Sequence, residues 1–369
     1  MSRPARILIA AGGTGGHVYP AIAVADAVKR QVPESSVAFA GTVDRIEWEA
    51  VPRAGYPIYP ITAVAFNRTS KAANLKVPFK LVRGVSQSMR LVKEFDADVV
   101  FGAGGFVSGP VGLAAWLRGR PLILQEQNAF AGITNRLLGK VAGQVHIAFP
   151  EAVEAFSEGR AVLSGNPVRA EMMDLDRKAA RETLGLPQDA RVVLSFGGSG
   201  GSQAMNEALL EGIEDFLEKT DAHLIWQTGP RYYERVMASA PSNPRVRILE
   251  YLHDMPSAYA ASDLALCRSG ASTCAELLVT GTPSILIPSP NVAEDHQTHN
   301  ARSLVEAGAA VLLPEAEMRE AWVSRTGALV SNPGLLETMG AKARANSISD
   351  AAERIAASII QFANRRAAA

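Results

Sequence analysis

The sequence predicts an α/β protein built as two doubly wound, Rossmann-like domains, and three observations lead there. Short apolar runs alternate with amphipathic stretches of helical length, the pattern of parallel strands joined by crossover helices. A length of 369 residues, 47% of them hydrophobic, exceeds what one core usually serves. The opening Leu8-Ile-Ala-Ala-Gly-Gly-Thr-Gly-Gly-His17 is echoed by Leu194-Ser-Phe-Gly-Gly-Ser-Gly-Gly-Ser202, so a strand, a glycine-rich turn and a helix begin each half.

Taken in order, Ile7 to Ala10, Val37 to Ala40, Asp98 to Phe101, Pro121 to Leu124 and Gln144 to Ala148 read as strands of the first half. Arg191 to Phe196, Ala222 to Gln227, Val246 to Leu249, Asp263 to Cys267, Pro283 to Ile287 and Ala310 to Leu313 read as strands of the second. The boundary falls near Gly165-Asn-Pro167, where a turn-forming pair follows the short apolar run Ala161 to Leu163 and precedes a charged, helix-prone stretch.

Lysine plus arginine equal aspartate plus glutamate at 37 each, which argues against a nucleic-acid partner. Cys267 and Cys274, the two cysteines, form no Cys-x-x-Cys pair, so neither a disulfide framework nor a zinc site is expected, and a reducing cytoplasm fits. The first apolar run, Ile7 to Ala11, is too short for a signal-peptide core or a membrane span.

A glycine-rich turn lets a ligand approach the backbone, and the helix that follows offers N–H groups suited to phosphate. The dinucleotide pattern Gly-x-Gly-x-x-Gly fails, because counting from Gly13 puts Val18 at the last glycine, and the second strand runs into Gly41-Thr42 instead of an acid. No Gly-x-x-x-x-Gly-Lys-Ser/Thr is present. In Cys267-Arg-Ser-Gly-Ala-Ser-Thr-Cys-Ala-Glu276, residues Ser269 to Thr273 head a helix as a diphosphate cradle. Glu276 suits the vicinal hydroxyls of a ribose; the alternative is a first-turn glutamate favoured by the helix dipole. His296 and His299 lack a third ligand, and Asp96-Ala-Asp98 reads as a turn, so no metal and no cofactor is expected.

Gly12-Gly-Thr-Gly-Gly-His-Val-Tyr-Pro20, Gly104-Gly-Phe-Val-Ser-Gly-Pro110, Glu126-Gln-Asn128, Gly165-Asn-Pro-Val-Arg169, Gly197-Gly-Ser199 and Arg268-Ser-Gly-Ala271 together resemble the peptidoglycan N-acetylglucosaminyltransferase family, in order and over almost the whole chain. The resemblance implies the GT-B architecture, two domains facing across a cleft. Residues 1–164 would take the acceptor and the membrane, and 165–345 the donor UDP-N-acetylglucosamine (UDP-GlcNAc). The last segment, 346–369, with a helix over about Asp350 to Arg365, would pack back on the first domain. The implied reaction moves N-acetylglucosamine with inversion to the muramoyl 4-hydroxyl of undecaprenyl-linked lipid I, giving β-linked lipid II. The implied place is peripheral, on the cytoplasmic face of the bacterial plasma membrane, with other cell-wall synthesis or division proteins as further partners.

At matching positions, Glu276 would bind the ribose, the backbone of Leu252 would read uracil, Arg169 and Ser199 would contact diphosphate, and Gln297 the donor sugar. Thr14, Gly15, Gly16, Asn128, Arg268, Ser272 and Thr273 complete the implied donor set, and Gly13, Gly104, Gly105 and Ser108 the acceptor-diphosphate set. Gln125 and Phe106 depart from the histidine and tyrosine that members often show, so neither is assigned a proton transfer.

The donor is α-linked and the expected product β-linked, so one in-line displacement is the simplest route, and it needs a base near neutrality. His17 is the candidate and Glu126 the reserve; that His17 caps the turn or contacts the acceptor diphosphate stays open. Leaving-group charge would be met by Arg169, Ser199 and the helix N-terminus after Gly270.

From Val64 to Lys93 there is no acidic residue, while Arg68, Lys71, Lys76, Lys80, Arg83, Arg90 and Lys93 interleave with Phe66, Leu75, Val77, Phe79, Leu81 and Val82. Such a strip suits an anionic membrane surface, with Trp116 as a helper; the alternative is a solvated basic loop with core-facing hydrophobes. Rival readings are another GT-B glycolipid transferase, a non-catalytic UDP-sugar-binding subunit, and a UDP-GlcNAc epimerase of the same fold.

Overall fold

A computed structural model describes residues 4–64 and 77–368, and the chain divides into two compact units, Met1–Arg169 with Ile348–Ala369, and Ala170–Ser347. The first unit runs β1 (Arg6–Ala10), α1 (Gly15–Gln31), β2 (Ser36–Gly41), α2 (Glu47–Arg53), β3 (Ile58–Pro60), α3 (Val77–Glu94), β4 (Val99–Gly102), α4 (Ser108–Leu117), β5 (Leu122–Glu126), α5 (Ile133–Leu138), β6 (Gln144–Ile147) and β7 (Ala161–Leu163). Its parallel sheet has the order β3-β2-β1-β4-β5-β6-β7.

The interior strands are apolar on both faces because helices cover both. Ile7 and Ile9 of β1 pack with Phe39, Val99 and Phe101 beneath Val24 of α1, while Leu8 and Ala10 point the other way, towards Val100, Leu124 and Val111 of α4. The edge strands β3 and β7 were not expected as strands. Each is three residues long and partly exposed, too short for an apolar run to stand out, and β3 ends at Pro60, which an edge tolerates.

The second unit runs α6 (Arg177–Thr183), β8 (Val192–Phe196), α7 (Gln203–Lys219), β9 (His223–Gln227), α8 (Tyr233–Ser239), β10 (Val246–Leu249), α9 (Met255–Ala261), β11 (Leu264–Cys267), α10 (Ala271–Thr280), β12 (Ser284–Leu286), α11 (His296–Glu306), β13 (Ala310–Leu312), α12 (Met318–Val330) and α13 (Pro333–Ala345). Its sheet is also parallel, in the order β10-β9-β8-β11-β12-β13. The last helix, α14 (Ala351–Ala368), belongs to the first unit and buries Ile355, Ala356 and Ile359 in the core that α1 covers.

The echo between the halves extends to hydrogen bonds. Asp98, just before β4, accepts from the Arg6 N–H at 2.9 Å and returns its own N–H to the Arg6 carbonyl. Asp263, just before β11, does the same with Val192, at 2.8 Å each way. In both units an aspartate thus fixes the start of the central strand against its neighbour, and with it the level at which the glycine-rich turn leaves the sheet.

Candidate active site

The strand order of the first unit reverses between β1 and β4, and an open parallel sheet leaves a crevice at the carboxyl ends of its strands at such a point. The turns after β1 and β4 meet there. A Cβ on Gly105 would fall 2.2 Å from the Gly12 carbonyl oxygen, and one on Gly104 2.5 Å from His17 Nδ1. Gly104 and Gly105 also have φ of +94° and +76°, so conformation and packing both demand glycine. The half-buried His17, third residue of α1, is held between the two turns. Thr14, the N-cap of α1, makes no side-chain capping bond and the first turn contains no acid, so this helix end keeps its positive character.

Two expected acceptor contacts are committed elsewhere. The Gly13 N–H donates to Glu47 Oε2 at 3.1 Å, so a phosphate cannot use it without breaking that bond. Ser108 is fully buried, its hydroxyl within reach of the Gly104 and Ala10 carbonyls at 2.8 and 3.2 Å, so it holds the β4–α4 turn and does not face a ligand. Thr14, Gly15, Gly16 and Asn128, expected with the donor, lie in the first unit with His17. Arg169 lies there too, its guanidinium 5.9 Å from the Tyr19 ring of α1.

Glu126, the reserve base, ends β5 and is 2% exposed. One oxygen accepts from the Asn128 N–H and side-chain amide at 3.0 and 3.3 Å, the other from the Gly132 N–H and Asn135 Nδ2 at 3.0 and 2.9 Å. Burial pushes its carboxyl above the ordinary range, and the four hydrogen bonds pull it back. The carboxylate therefore shapes the 127–132 turn, and its lone pairs are already occupied. Gln125 bonds Asn166 Oδ1 at 3.0 Å, fastening β5 to the Gly165–Arg169 segment.

In the second unit the order reverses between β8 and β11. Gly201 has φ +73°, and a Cβ there would lie 1.9 Å from the Thr228 carbonyl oxygen, so the turns after β8 and β9 touch. Around Gly200 a Cβ would meet nothing, and Ser199 is exposed beside it. The helix after β11 has Gly270 as N-cap, no side-chain cap and no acid in its first turn, which contains the half-buried Ser272 and Thr273. Glu276 is the sixth residue of that helix, beyond the first turn, which removes the helix-dipole explanation for it. Its Oε2 accepts from the Tyr259 hydroxyl at 3.0 Å.

Leu252 is 5% exposed and its N–H donates to Gln227 Oε1 at 3.1 Å, so a base edge would find its carbonyl, not its N–H. Gln227, which sequence reasoning missed, also donates to the Gly198 carbonyl at 2.9 Å, tying the β8 turn to the Leu252 loop. Its place at the carboxyl end of a strand beside the switch point was the available signal. Arg268 is 8% exposed and spends its donors internally, on the Ile287 and Pro288 carbonyls at 3.1 Å, on Ser202 Oγ at 2.6 Å and on the Glu315 carboxylate. It thus forms a wall, with its charge offset by Glu315. A pocket of about 560 Å³ opens between Gly197, Arg268, Ser289 and Gln297. Gln297 is held in it by the Ser289 N–H at 2.9 Å, and α11 is entered through Glu294 and Asp295, both at positive φ (54° and 51°). Cys267 and Cys274 are buried, and burial pushes both thiols up, out of nucleophilic range.

On the first unit, Phe79 and Trp116 are 79% and 52% exposed, and Lys80 and Arg83 are exposed beside Phe79 on α3. Leu117 of α4 and Ile133 and Leu137 of α5, not anticipated, are exposed as well. Phe66 and Leu75, with Arg68, Lys71 and Lys76, lie outside the described residues. Among the described residues no helix is long and apolar enough to cross a membrane.

Residues 7–147 match the glycosyltransferase family 28 N-terminal domain, and residues 192–355 the glycosyltransferase family 28 C-terminal domain. The UDP-N-acetylglucosamine–N-acetylmuramyl-(pentapeptide) pyrophosphoryl-undecaprenol N-acetylglucosamine transferase of Salinibacter ruber is 50% identical over 99% of this chain and 98% of its own. A crystal structure of MurG from Acinetobacter baumannii is similar at a TM-score of 0.76 and 32% identity, over 97% of this chain and 100% of that one. A putative UDP-N-acetylglucosamine 2-epimerase from Listeria monocytogenes reaches a TM-score of 0.70 at 16% identity, over 97% of this chain and 96% of its own, a likeness of fold alone.

Proposed function

Because the chain belongs to glycosyltransferase family 28 and, within it, to the pyrophosphoryl-undecaprenol N-acetylglucosamine transferases, we propose that it moves N-acetylglucosamine from UDP-GlcNAc to the muramoyl 4-hydroxyl of an undecaprenyl-diphosphate-linked muramoyl-pentapeptide, with a β-1,4 linkage, in peptidoglycan synthesis. The observation that carries the chemistry is the repeated one: beside each switch point, after β1 and after β11, a helix begins without side-chain cap or first-turn acid. Such ends suit one diphosphate per unit, as a nucleotide-sugar donor and a lipid-diphosphate acceptor require.

In this reading the second unit takes the donor. The Leu252 carbonyl meets the base, Glu276 accepts from the ribose hydroxyls, the α10 N-terminus with Ser272 and Thr273 meets the diphosphate alongside Ser199, and Gln297 meets the sugar. The first unit takes the acceptor at the β1 and β4 turns. His17 accepts the proton of the attacking 4-hydroxyl as that oxygen displaces UDP from the anomeric carbon, which inverts α to β. Negative charge developing on the leaving diphosphate is met by the α10 N–H groups. The exposed apolar and basic side chains of α3, with Trp116, rest on the anionic cytoplasmic face of the plasma membrane, where the lipid-linked acceptor resides.

The test is UDP release from UDP-GlcNAc with and without a short-chain acceptor analogue, the product linkage being read from the same reaction. Acceptor-dependent release with a β-linked disaccharide is the expected result. Release without acceptor would point to an epimerase or a hydrolase and end the transferase reading.

A further inference from the structure

A second concavity in the first unit has no role in the chemistry above. It is an open pocket of about 600 Å³ lined by Gly13, Asp44, Arg45, Ile46, Trp48 and Glu49. That volume is within the range of small-ligand sites. Its floor is tied to the glycine-rich turn by Glu47, a fully buried carboxylate that sequence reasoning passed over. Oε2 of Glu47 accepts from the Gly13 N–H at 3.1 Å, and Oε1 from the Thr42 N–H and hydroxyl at 3.1 and 2.6 Å. A Cβ on Gly12 would fall 2.6 Å from the same Oε1. The residues of the wall, Arg45, Trp48 and Glu49, flank Glu47 in sequence, so they are held in fixed register with the turn that carries His17.

Resting on the transferase reading, we infer that this pocket receives the peptide branch of the acceptor. The acceptor has three appendages. Its reacting hydroxyl belongs at His17 and its diphosphate at the β1 and β4 turns, on the side of Gly13 that faces Phe106, whose ring would lie 2.7 Å from a Gly13 Cβ. The pocket adjoins the same glycine and is otherwise lined by residues within 44–49, from the end of the β2–α2 connection and the start of α2, and the appendage left over is the peptide. The lining matches it: the half-buried Trp48 ring and Ile46 for side chains, the exposed Arg45 for a carboxylate, and the exposed Asp44 and Glu49 as acceptors for amide N–H groups. Glu47 is the positioning residue, because it couples the wall that reads the peptide to the turn that presents the hydroxyl.

The experiment compares two short-chain acceptors, one with the pentapeptide and one ending at the lactyl group, on the wild type, Arg45→Ala and Trp48→Ala. Wild-type turnover of the pentapeptide acceptor tests the transferase reading by itself. The inference predicts that each variant loses about tenfold in kcat/KM for the pentapeptide acceptor, through KM, and much less for the peptide-free one, with the donor KM unchanged. Equal losses on both acceptors, or none on either, would overturn it. Arg45 is exposed, so Arg45→Ala should fold and decides the matter should Trp48→Ala prove unstable.

Discussion

The Tyr259 hydroxyl donates to Glu276 Oε2 at 3.0 Å, joining α9 to α10 behind the proposed ribose site. Burial, and then the charge of Glu276, push the Tyr259 phenol well above its usual range, so it stays a donor at any working pH. The bond fixes one carboxylate oxygen and leaves the carboxylate's direction set before a ligand arrives. Glu276→Ala should weaken UDP binding by about 10- to 100-fold, the value of hydrogen bonds to a charged group. Tyr259→Phe should cost only about threefold, since the carboxylate remains. Calorimetric titration of UDP measures both, and unchanged affinity in Glu276→Ala would remove the ribose assignment.

His17 lies between the β1 and β4 turns, with its Nδ1 close to Gly104. As the base it should contribute about 10²- to 10⁴-fold to kcat and little to donor affinity. His17→Ala should therefore lose turnover with UDP affinity kept, and His17→Gln, which retains a polar group of similar reach, should lose as much. Full turnover in His17→Gln would mean that the histidine only braces the turn.

The fold was legible because buried parallel strands read as apolar runs, and the two Gly-Gly-Ser/Thr-Gly-Gly turns repeat at matching places. What was not legible depends on proximity across the fold. Glu47, among Asp44, Arg45 and Glu49, reads as part of a solvated charged turn, and only folding shows it fully buried under Gly13 and Thr42. Glu126 carries the residue type of a base, yet Asn128, Gly132 and Asn135 occupy it, two of them supplied by a turn and a helix further along the chain. Arg268 looks like an anion contact until Glu315, 47 positions away, is seen to pair with it.

The exposed Phe79 and Lys80 make membrane attachment testable one side chain at a time. Lys80→Glu replaces a cation with an anion, at about 1 kcal/mol or more per charge near an anionic surface. With a cation lost and an anion gained, it should weaken binding to phosphatidylglycerol vesicles by about 30-fold, and added salt should narrow the gap. Phe79→Ser should weaken binding with little salt dependence. Sedimentation of vesicles separates the two, and unchanged binding in both variants would argue that this face of α3 is merely solvated.

His146 is 2% exposed on β6, its Nδ1 2.6 Å from Ser164 Oγ, and burial depresses its pKa from 6.5 to about 4. The unfolded chain thus binds a proton that the folded chain refuses over this interval, and stability falls as pH drops from about 6.5 towards 4. At pH 5 the linkage amounts to about 2 kcal/mol relative to pH 7.5. Replacing the ring by His146→Gln should flatten that part of the pH profile in urea unfolding, whatever it does to stability at neutral pH. An identical acid slope in the variant would place the titrating group elsewhere.

Gly200 and Gly201 are adjacent and should respond differently to alanine. At Gly201 a Cβ would meet the Thr228 carbonyl oxygen at 1.9 Å from a backbone at φ +73°, so Gly201→Ala should cost about 2 kcal/mol or more in stability. At Gly200 nothing lies within 4 Å and the backbone is not left-handed, so the folded protein alone gives no reason for glycine. The reason offered by the proposed function is close approach of the donor diphosphate next to Ser199. Gly200→Ala should then unfold at the wild-type temperature, or slightly above it, and raise the KM for UDP-GlcNAc severalfold. A normal KM in Gly200→Ala would show that the β8 turn does not touch the donor, and would leave the α10 N-terminus to meet the diphosphate by itself.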